Sequence, residues 1–412
     1  MAIKLTSGLF IVTIFFVVSL LIALNLYTHH NHNIKTINKS LVISNKINIE
    51  TKQTPNKQVE PLIINQFPNQ KSKNAYVTLI SGIDKNLKYR GFLYNALIMK
   101  KALTSLGSTA DFIAMMGYSD SDPDHSAYEA DIKLLVSNGI LIYNLPRFQN
   151  SSEPLSFAEM ALLKITPWSF LSYDRIQFLD GDVMPTKSMD CYFSLPYNSF
   201  TVGAASPLNS GWFLAIPNQV DYDYLRRKAL WRLACDWDVA IGWREPLASF
   251  DLTFRGEKKR VDAWTFNGAD MDQGLFTHYF LLNHGQALLI DTDIQRVRQF
   301  TRGLKHEHDQ RRPMKETLRA CQGLVPTSFY AHFTGKTKPW VAEKTMTQSD
   351  VRAKRAKNYF YDQWMRYLDS LGLPITSSNV HELNLGSPLG YYNVDMYSKK
   401  KAKCWVVEEK VR

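Results

Sequence analysis

From residue 75 to residue 180 the chain alternates short apolar runs with stretches of helical period. Residues 75–80 (AYVTLI) have the β-branched and aromatic content of a buried strand, and Ser81-Gly82 reads as the turn that ends it. Over 94–106 the apolar residues recur three and four apart, which predicts a helix closing at Gly107. A strand over 111–116, a helix over 131–138, a strand over 139–143 and a helix over 158–171 follow, then a strand over 176–179. This alternation predicts βαβ units and a parallel sheet, hence an α/β fold. Ligands of open α/β sheets bind beyond the carboxyl ends of the strands. Ser81-Gly82 and Asp180-Gly181-Asp182 both fall at that position.

Beyond the acidic turn the rhythm changes. Strands are expected over 201–205 and 211–216, around the turn-forming stretch 207–211 (PLNSG), and a helix over 222–233. Residues 234–265 are aromatic and mixed in charge, with no clear period, and read as an insertion. A helix over 272–282 opens with Asp272-Gln273-Gly274, and a strand follows over 287–290. A last helix is expected over 350–371, with Tyr359, Phe360, Trp364 and Leu368 as a stripe that packs on the main domain.

The first 72 residues differ in kind. Residues 8–26 form an uncharged run of about the ~20 residues a bilayer requires, which predicts a retained anchor rather than a cleaved signal peptide. Residues 1–7, with Lys4, would then lie in the cytosol. Residues 27–72 are rich in Asn, Lys, Gln and Thr, with Pro55, Pro61 and Pro68, and read as a disordered stem. The folded domain is expected over 73–345, and a helical extension and tail over 346–412. Asn38-Lys39-Ser40 and Asn150-Ser151-Ser152 are glycosylation sequons that count only in a secretory lumen.

Charge narrows the partners. Lys and Arg number 49 against 38 Asp and Glu, a formal net charge of +11, which favours anionic ligands. The basic residues are scattered and no nucleic-acid-binding signature is present, so nucleic acid is not expected as a partner. The cysteines at 191, 235, 321 and 404 contain no Cys-x-x-Cys pair, which argues against a zinc site and leaves disulfides or core thiols open.

The chemistry begins at residues 176–185 (IQFLDGDVMP), where an apolar strand ends abruptly in two carboxylates around a glycine. Asp at i and i+2 point to opposite faces of a strand, but Gly181 lets the backbone turn so that Asp180 and Asp182 converge on one cation. Carboxylate oxygens suit Mg²⁺ or Mn²⁺, which also bridge phosphate oxygens. Alone, the triplet equally fits a surface turn. Residues 331–340 (AHFTGKTKPW) supply partners: His332 as a neutral imidazole ligand, Gly335 for close backbone approach to a phosphate, and a lysine for its charge. Two carboxylates and a histidine make a credible divalent site.

These residues resemble the family 8 glycosyltransferases, the glycogenin-like group with the GT-A fold. The family's closing pattern His-Phe-x-Gly-x-x-Lys-Pro-Trp is met at every fixed position by residues 332–340. Its Asp-x-Asp resembles Asp180-Gly181-Asp182, its Asn-x-Gly Asn209-Ser210-Gly211, and its Asp-Gln-Gly Asp272-Gln273-Gly274. A family lysine in a Lys-x-x-x-Trp-Ser context is matched by Lys164, Trp168 and Ser169. The five elements keep the family order across roughly residues 75–345. Two departures stand out: Ser81-Gly82-Ile83-Asp84 replaces the family's Thr-Asn-Asp, with Tyr89 as counterpart of the tyrosine that stacks on uracil, and the stretch from Gly211 to Asp272 is long.

The resemblance implies a Rossmann-like mixed sheet and retaining transfer of a sugar from a UDP-sugar to a hydroxyl of a glycan or glycoconjugate. It implies Asp180, Asp182 and His332 as ligands of Mn²⁺ (or Mg²⁺). Ser81, Tyr89, Asp180, Gly181, Gly335 and Lys338 would bind the donor nucleotide. Lys164, Asn209, Asp272 and Gln273 would act at the sugar, and the insertion 234–265 would line an acceptor site. A single-pass protein with its catalytic domain in the Golgi lumen is expected, with homodimerisation open. The rivals are a catalytically silent nucleotide-sugar-binding module and a metal-dependent nucleotidyltransferase; the latter would need a glycine-rich phosphate loop after the first strand, which is missing.

Overall fold

The computed structural model describes residues 70–118, 125–146, 148, 156–203, 206–244, 250–254, 257–261, 263–283, 287–290, 298–300, 316, 319–335, 337–356, 358–383 and 385. The expected anchor, most of the stem, both sequons, Lys336 and Cys404 lie outside them. Among the described residues no helix is long and apolar enough to cross a membrane.

The strands are β1 (Asn74–Ile83), β2 (Asp111–Tyr118), β3 (Leu141–Asn144), β4 (Arg175–Leu179), β5 (Val183–Pro185) and β6 (Asn198–Thr201). They continue as β7 (Asn209–Ala215), β8 (Phe250–Phe254), β9 (Glu257–Val261), β10 (Ala287–Ile290), β11 (Arg298–Phe300) and β12 (Tyr330–His332). Eight of them form one sheet in the order β11-β10-β6-β7-β4-β1-β2-β3. The half read from residues 75–180 is parallel as expected, with β1 pairing β2 and β4, and β2 pairing β3. β7 runs antiparallel between β4 and β6, so the whole is a mixed α/β sheet.

Helices cover both faces: α1 (Arg90–Ser105), α2 (Glu129–Ser137), α3 (Phe157–Leu162), α4 (Gln219–Ala234), α5 (Asp272–Phe276), α6 (Gln348–Arg355) and α7 (Asn358–Asp369). Strand alternation divides the core. Tyr76 and Ile80 of β1 pack with Leu97, Trp212 and Trp364, whereas Val77 and Leu79 pack with Trp168, Phe213 and Phe276. On the second face Trp168 stacks on Phe213 and Phe280, with centroids 5.2 and 5.1 Å away, pairs worth about 0.5–1.5 kcal/mol each beyond their burial.

Several expectations are corrected. β1 does not end at Ser81-Gly82; a bulge between Ser81 and Ile83, with Gly82 at φ +72°, carries the strand to Ile83. The strand expected over 201–205 lies at Asn198–Thr201, because Asn198 is buried by satisfied bonds that a hydropathy pattern cannot show. Its Oδ1 accepts from Trp168 Nε1 at 3.0 Å and Ile216 N at 2.8 Å. Asn209 and Ser210 open β7 instead of forming a turn. The helix over 158–171 is α-helical only to Leu162 and then narrows to a 3₁₀ segment, Leu163–Ser169, that contains Pro167. The last helix is two, the first opened by a Thr347–Asp350 capping box. Tyr359 is 67% exposed, and Tyr361, Trp364 and Leu368 make the packing face. Cys191 and Cys321 form a disulfide and Cys235 is a buried thiol.

Candidate active site

The acidic turn is fixed from three sides. Asp180 N donates to Gly211 O at 2.9 Å, and Val183 N closes the turn on Asp180 O at 3.0 Å. Beneath it, the fully buried Asn95 of α1 gives both amide hydrogens to the turn, to Gly181 O at 2.8 Å and Val183 O at 2.9 Å. Asn95 Oδ1 accepts from Trp364 Nε1 at 2.8 Å, so α7 anchors the same point. β5 then pairs antiparallel with β12, which sets His332 opposite Val183. Phe333 N donates to Asp182 O at 2.9 Å. By this register one ligand atom each of Asp180, Asp182 and His332 lies within 4.8 Å of the others.

Each carboxylate here already faces a cation. His332 Nε2 is 3.1 Å from Asp182 Oδ1, and the buried Lys338 ammonium contacts Asp182 Oδ2 while donating to Phe333 O at 3.1 Å. Burial would raise the Asp182 carboxyl, but Lys338 and His332 overcome it and hold the group well below the carboxylate range. For Asp180, burial and the adjacent Asp182 charge push upward, against the pull of Lys164 and His332. Lys164 Nζ lies 2.7 Å from Asp180 Oδ1 and 3.0 Å from Asp272 Oδ2. Burial would lower this ammonium, yet the two carboxylates outweigh it and keep it charged above its ordinary range.

Across the cleft, Asp272 Oδ2 also accepts from Ser210 Oγ at 2.7 Å. Two glycines of the motifs are close approaches. A Cβ on Gly211 would lie 2.8 Å from His332 Cε1, so this position lets the imidazole reach the acidic pair. A Cβ on Gly274 would lie 1.7 Å from Ala269 O, which forces glycine where α5 packs on 268–269. That segment is held from behind: Trp243 Nε1 donates to Ala269 O at 2.8 Å, and Arg232 binds the Asp270 carbonyl at 3.0 Å and its carboxylate at 2.8 Å. Gln273 contacts Ser206 Oγ, which also sits 2.6 Å from Leu208 O. The Ser206 hydroxyl thus ties Gln273 Oε1 to the 206–208 turn.

The cleft enclosed in this way is about 380 Å³. Asp180, Gly181, Asp182, His332, Gly335 and Lys338 line one wall. Lys164, Asn209, Asp272 and Gln273 line the other, and Ser81 also lines the cleft. Tyr89 is not among the lining residues. Its ring is buried against Tyr128 and its hydroxyl binds Asp131, so the expected uracil stack on Tyr89 is corrected. Phe92, one helical turn further on, does line the cleft, with its ring 5.5 Å from Lys338 Nζ. Ser206, Ser210 and Asn95 are the other residues that sequence reading missed. For Asn95 the signal was a polar residue on the apolar face of a helix, and for Ser210 the middle position of Asn-x-Gly.

No protein-family model matches the chain. Among curated proteins it is similar to inositol phosphorylceramide glucuronosyltransferase 1 of Arabidopsis thaliana, 26% identical over 164 residues, 39% of this chain and 28% of that protein. It is also similar to UDP-glucuronate:xylan alpha-glucuronosyltransferase 1 of the same plant, 24% identical over 168 residues, 40% of this chain and 24% of that protein. The chain spans less than half the length of the curated relatives it matches. Among solved structures it is similar to the glycosyltransferase GlyE of Streptococcus pneumoniae TIGR4, at 12% identity and TM-score 0.39, covering 76% of this chain and 63% of that one. The galactosyltransferase LgtC in complex with donor and acceptor sugar analogs gives 12% identity and TM-score 0.40, covering 73% and 97%. All four are glycosyltransferases by name.

Proposed function

We propose that the protein is a metal-dependent, retaining glycosyltransferase that moves a sugar from a UDP-sugar to an acceptor hydroxyl of a glycan or glycoconjugate. The observation that carries this is the convergence of Asp180 and Asp182 with His332, which lies 150 positions beyond Asp182 in sequence, on a cleft that two lysines also line. Two carboxylates and an imidazole are a hard, mixed oxygen–nitrogen donor set that fits Mn²⁺ or Mg²⁺. Such an ion, when bound, supplies Lewis-acid stabilisation of charge on a departing diphosphate.

The remaining work falls to the chain. Lys338, and Gly335 with its bare backbone, lie where diphosphate oxygens would be neutralised. Asn209, Asp272 and Gln273 line the space for a sugar and would orient it, a positioning effect. Phe92, which lines the cleft, would offer an aromatic face to the nucleotide. The relatives' names make glucuronate the first sugar to try, and with residues 8–26 as an anchor the domain would act in a Golgi lumen.

The test is nucleotide release from UDP-glucose, UDP-galactose, UDP-glucuronate and UDP-xylose, with Mn²⁺ and with chelator. Metal-dependent release of UDP from one donor is the expected result. Tight UDP binding with no turnover on any donor would favour the silent-module reading, and release of pyrophosphate from a nucleoside triphosphate would favour nucleotidyl transfer.

A further inference from the structure

We infer that Ser210 is a positioning residue that locks the rotation of the Asp272 carboxylate, presenting its second oxygen to the donor sugar. The inference rests on the glycosyltransferase reading and adds to it a residue outside the metal set.

Ser210 is 2% exposed on β7, and its hydroxyl donates to Asp272 Oδ2 at 2.7 Å. Lys164 Nζ reaches the same Oδ2 at 3.0 Å, Asp180 Oδ1 at 2.7 Å and, at a long 3.5 Å, Ser210 Oγ. The three N–H bonds of the ammonium are thereby used, and the single hydroxyl proton of Ser210 goes to Asp272. Asp272 Oδ2 has two donors, while Oδ1 has no hydrogen-bond partner among the described residues. Asp272 itself is 4% exposed and lines the cleft. Oδ1 is thus left free on a side chain that lines the cleft, where a hydroxyl arriving with the substrate can donate to it.

Lys164 cannot fix this orientation alone. Its ammonium sits on a flexible stem and is shared with Asp180, so a carboxylate held only by Lys164 can turn about its Cβ–Cγ bond. The serine is on a strand in the centre of the sheet and cannot follow such a turn. Lys164 links the two acidic centres, and Ser210 sets the angle of the second.

The test is Ser210→Ala in the full chain, with Ser210→Thr as the variant that keeps the hydroxyl. The rate is read with whichever of the four UDP-sugars the wild type turns over fastest, and Mn²⁺ alone and UDP alone are titrated by tryptophan fluorescence. We expect Ser210→Ala to lower kcat on the order of 10- to 100-fold, the loss of one hydrogen bond to a charged group. Donor KM and the Mn²⁺ Kd should stay within about twofold, and Ser210→Thr should recover most of kcat. An unchanged kcat, or a loss confined to KM or to Mn²⁺ affinity, overturns the inference. A crystal structure of Ser210→Ala decides it independently of turnover: a rotated Asp272 carboxylate supports it, and an unmoved one overturns it. Wild type silent on every donor retires the glycosyltransferase reading instead.

Discussion

The two walls of the cleft are held by different means. On the metal side, position comes chiefly from backbone register, with the Asn95 amide beneath it: the β5–β12 ladder, the Asp180–Val183 turn and the bond from Phe333 N to Asp182 O set where the three side chains leave the main chain. On the sugar side it comes from side chains. Ser210 and Lys164 hold Asp272, Ser206 holds Gln273, and Trp243 and Arg232 hold the segment behind them. Register survives loss of one side chain, whereas a side-chain network transmits it. The metal wall should therefore fail by chemistry and the sugar wall by geometry.

The largest expected break is Asp182→Asn. It removes one anionic ligand and should cut metal-dependent turnover about 10³-fold, of the order a lost electrostatic centre causes. It also strips the carboxylate from the buried Lys338 ammonium, at a cost of about 3 kcal/mol in stability. The double variant Asp182→Asn with Lys338→Gln should regain stability in urea unfolding but no activity. Near-normal turnover of the single variant at low Mn²⁺ would show that the metal wall is misassigned.

A smaller effect comes where the walls touch. Gly211→Ala would place a methyl 2.8 Å from His332 Cε1, so the imidazole must retreat from the acidic pair. Mn²⁺ affinity should fall about 10- to 100-fold, as for changes just outside a ligand set, with β7 and its pairing intact by circular dichroism. Unchanged affinity would mean that His332 has room to spare and that the glycine of Asn-x-Gly serves something else.

This contrast also explains what the sequence made legible. Asp180, Asp182, His332, Lys338 and Asp272 are conspicuous because a charge or imidazole next to an apolar run conflicts with burial. Their convergence depends on a strand pairing over some 150 residues, which no local pattern encodes. Ser210 and Asn95 stayed hidden because small polar residues are common and their partners are distant: Asn95 acts on Gly181 and Trp364, 86 and 269 positions away. β6 was misplaced for the same reason, since Asn198 and Ser199 are buried through bonds rather than through hydrophobicity. Tyr89 failed in the opposite sense: its position fits the motif, but Asp131 supplies a buried partner that draws the hydroxyl away from the cleft.

The smallest break separates the walls by pH. His278 follows α5 in a π-helical segment, buried against Trp243 and Trp264, the residues behind the sugar wall. Burial, aided by the nearby Lys228, lowers its pKa from 6.5 to about 3, and Tyr224 Oη and Asn283 Nδ2 bond the neutral ring. Below pH 6.5 the unfolded chain takes up a proton here and the folded one does not, so stability falls with pH until about 3, where both are protonated. At pH 5.5 the loss is about 1.4 kcal/mol relative to pH 8, taking the ordinary histidine value of about 6.5 for the unfolded chain. Asp182, held low, contributes nothing to this window because both states keep it ionised until the unfolded carboxyl titrates near 4. Comparing wild type with His278→Gln in urea at pH 8 and pH 5.5 isolates the one imidazole from Asp180 and the other acids. The difference between the two pH values should shrink by about that amount in the variant, and hydrogen exchange should quicken first over 266–283 rather than at the acidic turn. Equal pH dependence in both proteins would mean that the ring is protonated or solvated in the folded state, and that the aromatic backing of the sugar wall is looser than its packing suggests.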